Sequence, residues 1–326
     1  MQLTRRFEIE ERIFCPTCSS DDIKALFVSY DDRYGLDDIF TVVECSNCNS
    51  CFLKEAILTE SISDLYEKYY PNSNDNWKSI SPSISFCSKL FHPKIKYIYQ
   101  LAKSSLQGGC ELGYYVNKGE NVLDIGCGYG NSALIVKQNG DEWTGLEINS
   151  KRCNSIKSMG LQCICGTIES IKDDYKGKFD VVLASQVIEH TSDPGQFVSS
   201  CSSVLRLGGR LILSAPNANS RYRNLLNKNW IHWHVPYHQV IFSINGLELL
   251  CTKYGLKLKK HKTISPTSWV LFQKRYERPA RGNKCKWYVG SHSRNSMLSY
   301  SLLLRLKDII MGKGDSIVAE FQKISN

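Results

Sequence analysis

Through the middle of the chain, apolar runs too short for helices alternate with amphipathic stretches, and glycines or polar caps mark the joins. Val122 to Ile125 reads as a buried strand, followed by the turn Gly126-Cys127-Gly128-Tyr129-Gly130 and a helix closed at Gly140. "EWTGLEI", "LQCIC", "KFDVVLAS" and "GGRLILSAP" continue the series, each bounded by turn or cap residues. Short apolar runs of this kind are strands covered on both faces, as in a parallel sheet. Strand then helix through five units predicts a doubly wound α/β sheet, with ligands at the C-terminal ends of its strands.

The N-terminal pattern differs. "IKALFVSY" and "IFTVVEC" flank the turn-rich "DDRYGLDD", which predicts a hairpin. Cys15-Pro-Thr-Cys18 and Cys45-Ser-Asn-Cys48 stand at its base, 26 residues apart. Each knuckle aims two thiolates at one point, and two knuckles complete the tetrahedral set of structural zinc. Cys51 is expected to be a buried apolar side chain, because a closed site takes four ligands.

At 326 residues the chain has room for one large domain with additions or for two. Its 14 cysteines are scattered through strand-like runs with no secretory leader before them, and the longest apolar segments are cut by charge short of bilayer length. A cytoplasmic protein with no transmembrane segment is expected. The net charge of +9 is unevenly placed: residues 1–70 carry −7 and residues 211–326 carry +14. The acidic ribbon is therefore a poor grip for phosphates, which disfavours nucleic acid as a partner.

Asp124 precedes Gly126, Gly128 and Gly130 in the order D-x-G-x-G-x-G, and Glu147 ends the second strand 21 residues after Gly126. A carboxylate at that tip can accept both ribose hydroxyls of an adenosyl cofactor. With the strands that follow, the chain resembles class I S-adenosylmethionine-dependent methyltransferases over about residues 90–325. The ribbon followed by "SISDLYEKYY", together with "VPYHQVIFS" and "MGKGDSIVAEFQK", is similar to bacterial enzymes that methylate sugars or other small metabolites. The resemblance implies a Rossmann-like seven-stranded sheet, "LKLKKHKTI" its sixth strand and "SIVAEFQK" its antiparallel seventh, with a basic insertion, residues 265–314, over the acceptor side. It divides the chain into a zinc ribbon (1–58), a helical linker with N-terminal helices (59–118) and the catalytic domain (119–326).

The same resemblance assigns Asp124, Gly126, Cys127, Gly128, Tyr129 and Gly130 to the cofactor's methionine and ribose, Glu147 and Ile148 to its ribose side, and Gly166, Thr167 and Ile168 to adenine. Ser185 and Gln186 should face the sulfonium. Three of seven histidines fall in "WIHWHVPYHQ", after the fifth strand and bordering the acceptor. His238, four residues before Phe242-Ser243, matches a catalytic histidine of the sugar-methylating enzymes, although that family's neighbouring Tyr and Glu partners are not matched, Val235 and Tyr237 standing in those places. Neutral imidazole suits removal of an acceptor proton near pH 7. His190 is the rival. Glu189 and His190 resemble part of a divalent-metal set in some methyltransferases, whose first glutamate is replaced here by Gln186, and a loop-fixing hydrogen bond is the plainer role for His190. His232 and His234 are read as pocket-lining or structural.

These readings lead to O-methylation of a small anionic acceptor, a sugar or nucleotide sugar, with S-adenosylmethionine as cofactor and a structural zinc. An RNA methyltransferase and a noncatalytic cofactor-binding scaffold are the alternatives.

Overall fold

The computed structural model describes residues 7–70, 112–138, 140–285, 303–304 and 306–325. The expected N-terminal helices over 71–111 and the middle of the insertion, 286–302, lie outside them. The chain opens with β1 (Ile9–Glu11), β2 (Ile23–Tyr30), β3 (Ile39–Cys45), β4 (Cys51–Leu53), β5 (Glu55–Ile57) and helix α1 (Thr59–Tyr69). β2 and β3 form the expected hairpin, with Ile23 opposite Cys45 and Tyr30 opposite Ile39. Cys51 is fully buried beside Glu44 and outside the four-cysteine cluster.

The five strand–helix units then appear as read. They are β6 (Asn121–Ile125), α2 (Asn131–Gln138), β7 (Glu142–Glu147), α3 (Ser150–Ser158), β8 (Gln162–Cys165), α4 (Ile168–Ile171), β9 (Phe179–Ser185), α5 (Pro194–Val204) and β10 (Leu205–Pro216). Local chemistry sets their ends. Asn149 and Asp193 cap α3 and α5 by accepting the N–H groups of Arg152 and Gln196, and Pro194 occupies the first turn of α5. After β10 come α6 (Arg221–Leu226), β11 (Val240–Ile241), α7 (Ile244–Thr252), β12 (Leu256–Ile264), α8 (Thr267–Gln273) and β13 (Ser316–Lys323).

The seven-stranded sheet runs β12-β13-β10-β9-β6-β7-β8. β6 to β10 are mutually parallel where they pair, and β13 lies antiparallel between β10 and β12. This is the class I methyltransferase arrangement, with the sixth and seventh strands where the resemblance put them. The Gly208-Gly209 turn was expected to precede the fifth strand. Instead the strand runs through it, with a register break between Leu205 and Arg210.

β11 pairs not with the large sheet but with β4, Val240 opposite Phe52, so a segment beyond the fifth strand completes the ribbon's own four-stranded sheet. Cys15, Cys45, Cys48 and Phe52 pack in one core with Phe242, Leu247 and Cys251. Ser243 Oγ caps α7 through Gly246 N (2.8 Å) and donates to the Cys48 carbonyl. A Cβ at Gly246 would come within 2.1 Å of Ser50 Oγ, so the helix approaches the knuckle this closely only because that residue is glycine.

Candidate active site

The turn after β6 holds Gly126, Gly128 and Gly130 at φ of +63°, +60° and +74°, a left-handed conformation that favours glycine. A Cβ on Gly126 would lie 2.7 Å from Val187 Cγ2, whereas one on Gly128 would meet open space, so the loop is sealed below and bare above. Bare backbone of this kind admits a ligand closely. Glu147 ends β7 with its carboxylate nearly buried, accepting from Gly128 N (3.0 Å) and Asn149 N (2.9 Å), with Arg152 4.0 Å away. Each oxygen keeps acceptor capacity for a hydroxyl.

Asp124 is buried and accepts from Ser132 Oγ, which itself accepts from Trp143 Nε1 (3.0 Å). Tyr129 and Ile148 are exposed at the strand tips, and Tyr129 carries the Arg152 guanidinium over its ring. Burial raises the Cys127 thiol above its ordinary range. Gly166 N donates to Glu147 O, and the Thr167 carbonyl accepts from Ser170 Oγ, but the Ile168 side chain is buried in the core with Leu146 and Ile171. Ser185 Oγ and Gln186 Nε2 both reach Ser214 Oγ, at 3.2 and 3.3 Å, tying the tip of β9 to β10.

Val187, against the glycine loop, opens the 3-10 turn Ile188–His190, which leads into a second cluster. Glu189 and His190 enter from this turn, His232, His234 and His238 from the loop after α6, Tyr34 from the ribbon hairpin, and Tyr66 and Tyr70 from α1 or its end. The ring centroids of His190 and His238 are 4.7 Å apart, and those of His234 and His238 are 4.8 Å apart. Thus "SISDLYEKYY", whose tyrosines carried no assignment in the sequence, supplies two walls of the histidine cluster. Their hydroxyl-bearing rings three to four residues apart on one helix face were the available signal.

His238 Nδ1 lies 2.7 Å from the His232 carbonyl, so it carries the proton and leaves Nε2 as an acceptor, 3.4 Å from His234 Nδ1. His190 Nδ1 lies 2.9 Å from the Tyr237 carbonyl and 2.8 Å from Tyr66 Oη; it therefore donates to the carbonyl and also has its Nε2 free of a proton. The loop-fixing hydrogen bond is thus present at His190. Burial pushes His190 down to about 4, His232 to about 3, and His234 and His238 well below the usual imidazole value, so all four are neutral at pH 7.

Glu189 is fully buried with neither carboxylate oxygen hydrogen-bonded, and burial pushes its acid up to about 8. One ligand atom each from Glu189, His190 and His238 falls within 4.8 Å of the others. Residues 265–285 of the insertion lie on this loop and on the ribbon. Gln273 accepts from Ile231 N, the Trp269 ring faces His232, Arg278 donates to Ser29 Oγ, and Cys285 N donates to Arg33 O.

In the ribbon, the Cys15, Cys18, Cys45 and Cys48 sulfurs lie within 4.8 Å of one another, with the Cys15–Cys48 pair at 3.6 Å and the Cys18–Cys45 pair at 3.5 Å. Tetrahedral zinc with bonds of about 2.3 Å needs sulfurs about 3.8 Å apart, so the set fits that ion. The hydrogen bond from Cys15 draws Cys48 down to about 4, while Cys15 itself rises.

The methyltransferase domain family matches residues 99–261. With the strand order and glycine cradle above, that match decides the family. The chain belongs to the class I methyltransferases. Similar proteins include the ubiquinone biosynthesis O-methyltransferase of Erwinia tasmaniensis, 30% identical over 109 residues, 32% of this chain and 45% of the relative. That of a Bradyrhizobium species is 34% identical over 107 residues, 31% of this chain and 42% of the relative. This methyltransferase thus spans less than half the length of those relatives. A solved S-adenosylmethionine-dependent methyltransferase from Archaeoglobus fulgidus is 18% identical, with a TM-score of 0.46 over 69% of this chain and 99% of the other.

Proposed function

We propose that this chain transfers a methyl group from S-adenosylmethionine to a hydroxyl of a small acceptor, with His238 as general base. The observation that carries the reading is the His232 carbonyl on His238 Nδ1, which fixes the tautomer whose Nε2 can accept a proton. Asp124, Gly126, Cys127, Gly128, Tyr129, Gly130, Glu147, Ile148, Gly166, Thr167, Ile168, Ser185 and Gln186 are the residues that would hold the cofactor, Glu147 through the ribose hydroxyls and Ile168 through its backbone, since its side chain is in the core. Bound S-adenosylmethionine supplies an electrophilic methyl group. What remains for the protein is to orient the acceptor, exclude water and take up its proton. The buried tyrosine and histidine rings exclude water, while His190, held by Tyr66 and the Tyr237 carbonyl, keeps its own basic nitrogen beside His238.

The names of the relatives favour a hydroxyl acceptor. A sugar or nucleotide sugar rests on the sequence resemblance and on the positive charge of residues 211–326. The four ribbon cysteines are proposed as a structural zinc site. A second reading of Glu189, His190 and His238 is favoured by the unpartnered carboxylate: the three would hold a divalent cation beside the acceptor.

The test is methyl transfer from labelled S-adenosylmethionine to catechols, nucleotide sugars, free sugars and total RNA, with His238→Ala beside the parent. Label in a small hydroxyl acceptor, with a loss of roughly 10² to 10⁴ in rate and unchanged cofactor affinity for the variant, is expected. Label in RNA, or an unimpaired variant, would overturn the reading. Metal titration against Glu189→Gln separates the two uses of the cluster.

A further inference from the structure

The segment "EIEERIF" at the end of β1 is inverted with respect to its chemistry. Ile13 and Phe14 are 61% and 53% exposed, whereas Arg12, just before them, is only 8% exposed. An arginine on the rim of a small sheet ordinarily lays its stem along the surface and keeps its charged head in water. Withdrawing the guanidinium is costly unless hydrogen bonds replace its hydration. Burial draws it down to about 10, which leaves it charged at neutral pH.

Two carbonyls from the catalytic domain supply those bonds. Arg12 Nη1 donates to the Gln239 carbonyl (3.1 Å) and Nη2 to the Ser192 carbonyl. The planar fork presents two donors at a fixed spread, and here each prong meets a different loop. The backbone of Arg12 belongs to the ribbon: its N–H donates to Lys54 O (2.7 Å), beside the pairing of Glu11 with Glu55 between β1 and β5. Cys15, the first knuckle cysteine, follows three residues later. One side chain rooted in the ribbon therefore clamps two loops of the domain above it.

Those two loops carry the histidines. Ser192 follows His190 by two residues and Gln239 follows His238 by one, and the two imidazole rings lie 4.7 Å apart. The Gln239 N–H also donates to the Glu189 carbonyl (2.7 Å), so the loops are tied once directly and once through Arg12. A single tie acts as a hinge, whereas two at different points fix angle as well as separation. We propose that Arg12 is a positioning residue for methyl transfer, setting the spacing and angle of His190 and His238 through the Ser192 and Gln239 carbonyls. The proposal rests on the reading of His238 as the base, although the placement of the rings can be measured without an acceptor. A misplacement of about 1 Å at a reacting group can cost about 10² in rate. Lysine keeps the charge but, as a point donor, lacks the fork.

The experiment is nitrogen NMR of the imidazoles in the full chain labelled at histidine, beside methyl-transfer rates with the acceptor found as above. Arg12→Lys should shift or broaden the ring signals of His190 and His238 and leave those of His261, exposed on β12, unchanged. The same variant should lower the rate about tenfold or more while cofactor affinity stays within about twofold. Arg12→Gly should show both effects and regain part of the rate and of the parent signals with millimolar guanidinium, a rescue that Arg12→Lys should not show. Melting temperature falls if Arg12 is merely structural as well, so it serves only to check that the variants fold, and Arg12→Lys decides the matter alone if the glycine variant does not. Unchanged ring signals in Arg12→Lys, or a full rate alongside shifted signals, would overturn the proposal. Shifted signals with an unimpaired His238→Ala would instead overturn the base reading and still support the hold of Arg12 on the two loops.

Discussion

Glu189→Gln should flatten the alkaline side of the stability profile. The parent carboxyl is fully buried, neither oxygen has a partner, and its acid is raised from 4.5 to about 8 by desolvation. A pKa higher in the folded than in the unfolded chain means that the folded state holds the proton more tightly. The resulting stability is complete below 4.5 and is lost as pH rises through about 8. At about 1.4 kcal/mol per pKa unit, the full effect is on the order of 5 kcal/mol. Glutamine keeps the shape but does not titrate. Its amide can carry its own burial cost, so the decisive quantity is the change between pH 5 and 8, not the absolute stability at either. Urea unfolding of parent and variant across that range, at equal zinc content and with no cofactor or other divalent metal added, measures it. The parent should lose several kcal/mol relative to the variant as pH rises. Parallel curves would show that Glu189 is already ionised in the fold or has a partner, and its assignment as a neutral, unpartnered acid would fail.

Three further outcomes are expected. Purified protein should hold about one zinc per chain, and Cys15→Ser or Cys48→Ser should lose it, as metal analysis will show; zinc retained in both variants would reject the four-thiolate site. Glu147→Ala should weaken S-adenosylmethionine binding by about 1 to 3 kcal/mol in titration calorimetry, because ribose hydroxyls would be buried without their acceptor. His190 and His232 have folded values of about 4 and 3, below the unfolded 6.5, so the stability they contribute is present above 6.5 and lost as pH falls through those values. Measured in the Glu189→Gln background, unfolding free energy should fall by several kcal/mol from pH 6.5 to 4, and a flat profile would contradict neutral buried imidazoles.

The parallel strands were legible because burial on both faces leaves unbroken apolar runs, and the turn after β6 because its backbone angles demand glycine at Gly126, Gly128 and Gly130. The paired knuckles were legible because bringing four thiolates to one point constrains their spacing. Chemistry that depends on distant contacts was not. Nothing local in "VIEHTSDP" reveals that Glu189 would be buried without a partner, or that Tyr66 would meet His190 at 2.8 Å across 124 positions of sequence. Nor does its place after the third strand reveal that the Ile168 side chain turns into the core, which leaves the backbone there to meet a ligand.

The placement of β11 links these observations. Val240 and Ile241 pair with β4 two residues after His238, and the Leu53 amide donates to the Gln239 carbonyl at 3.1 Å. The Gln239 amide donates in turn to the Glu189 carbonyl at 2.7 Å, and its side-chain oxygen accepts from Ile57 N at 3.1 Å. One buried glutamine therefore joins the ribbon, the turn after β9 and the histidine loop. Since Cys45 and Cys48 flank the next turn of the same ribbon sheet, loss of the thiolate cluster's order would loosen β4 and, through Gln239, the backbone beside His238. On this geometry the ribbon positions the backbone of the loop that carries His238, the base proposed above.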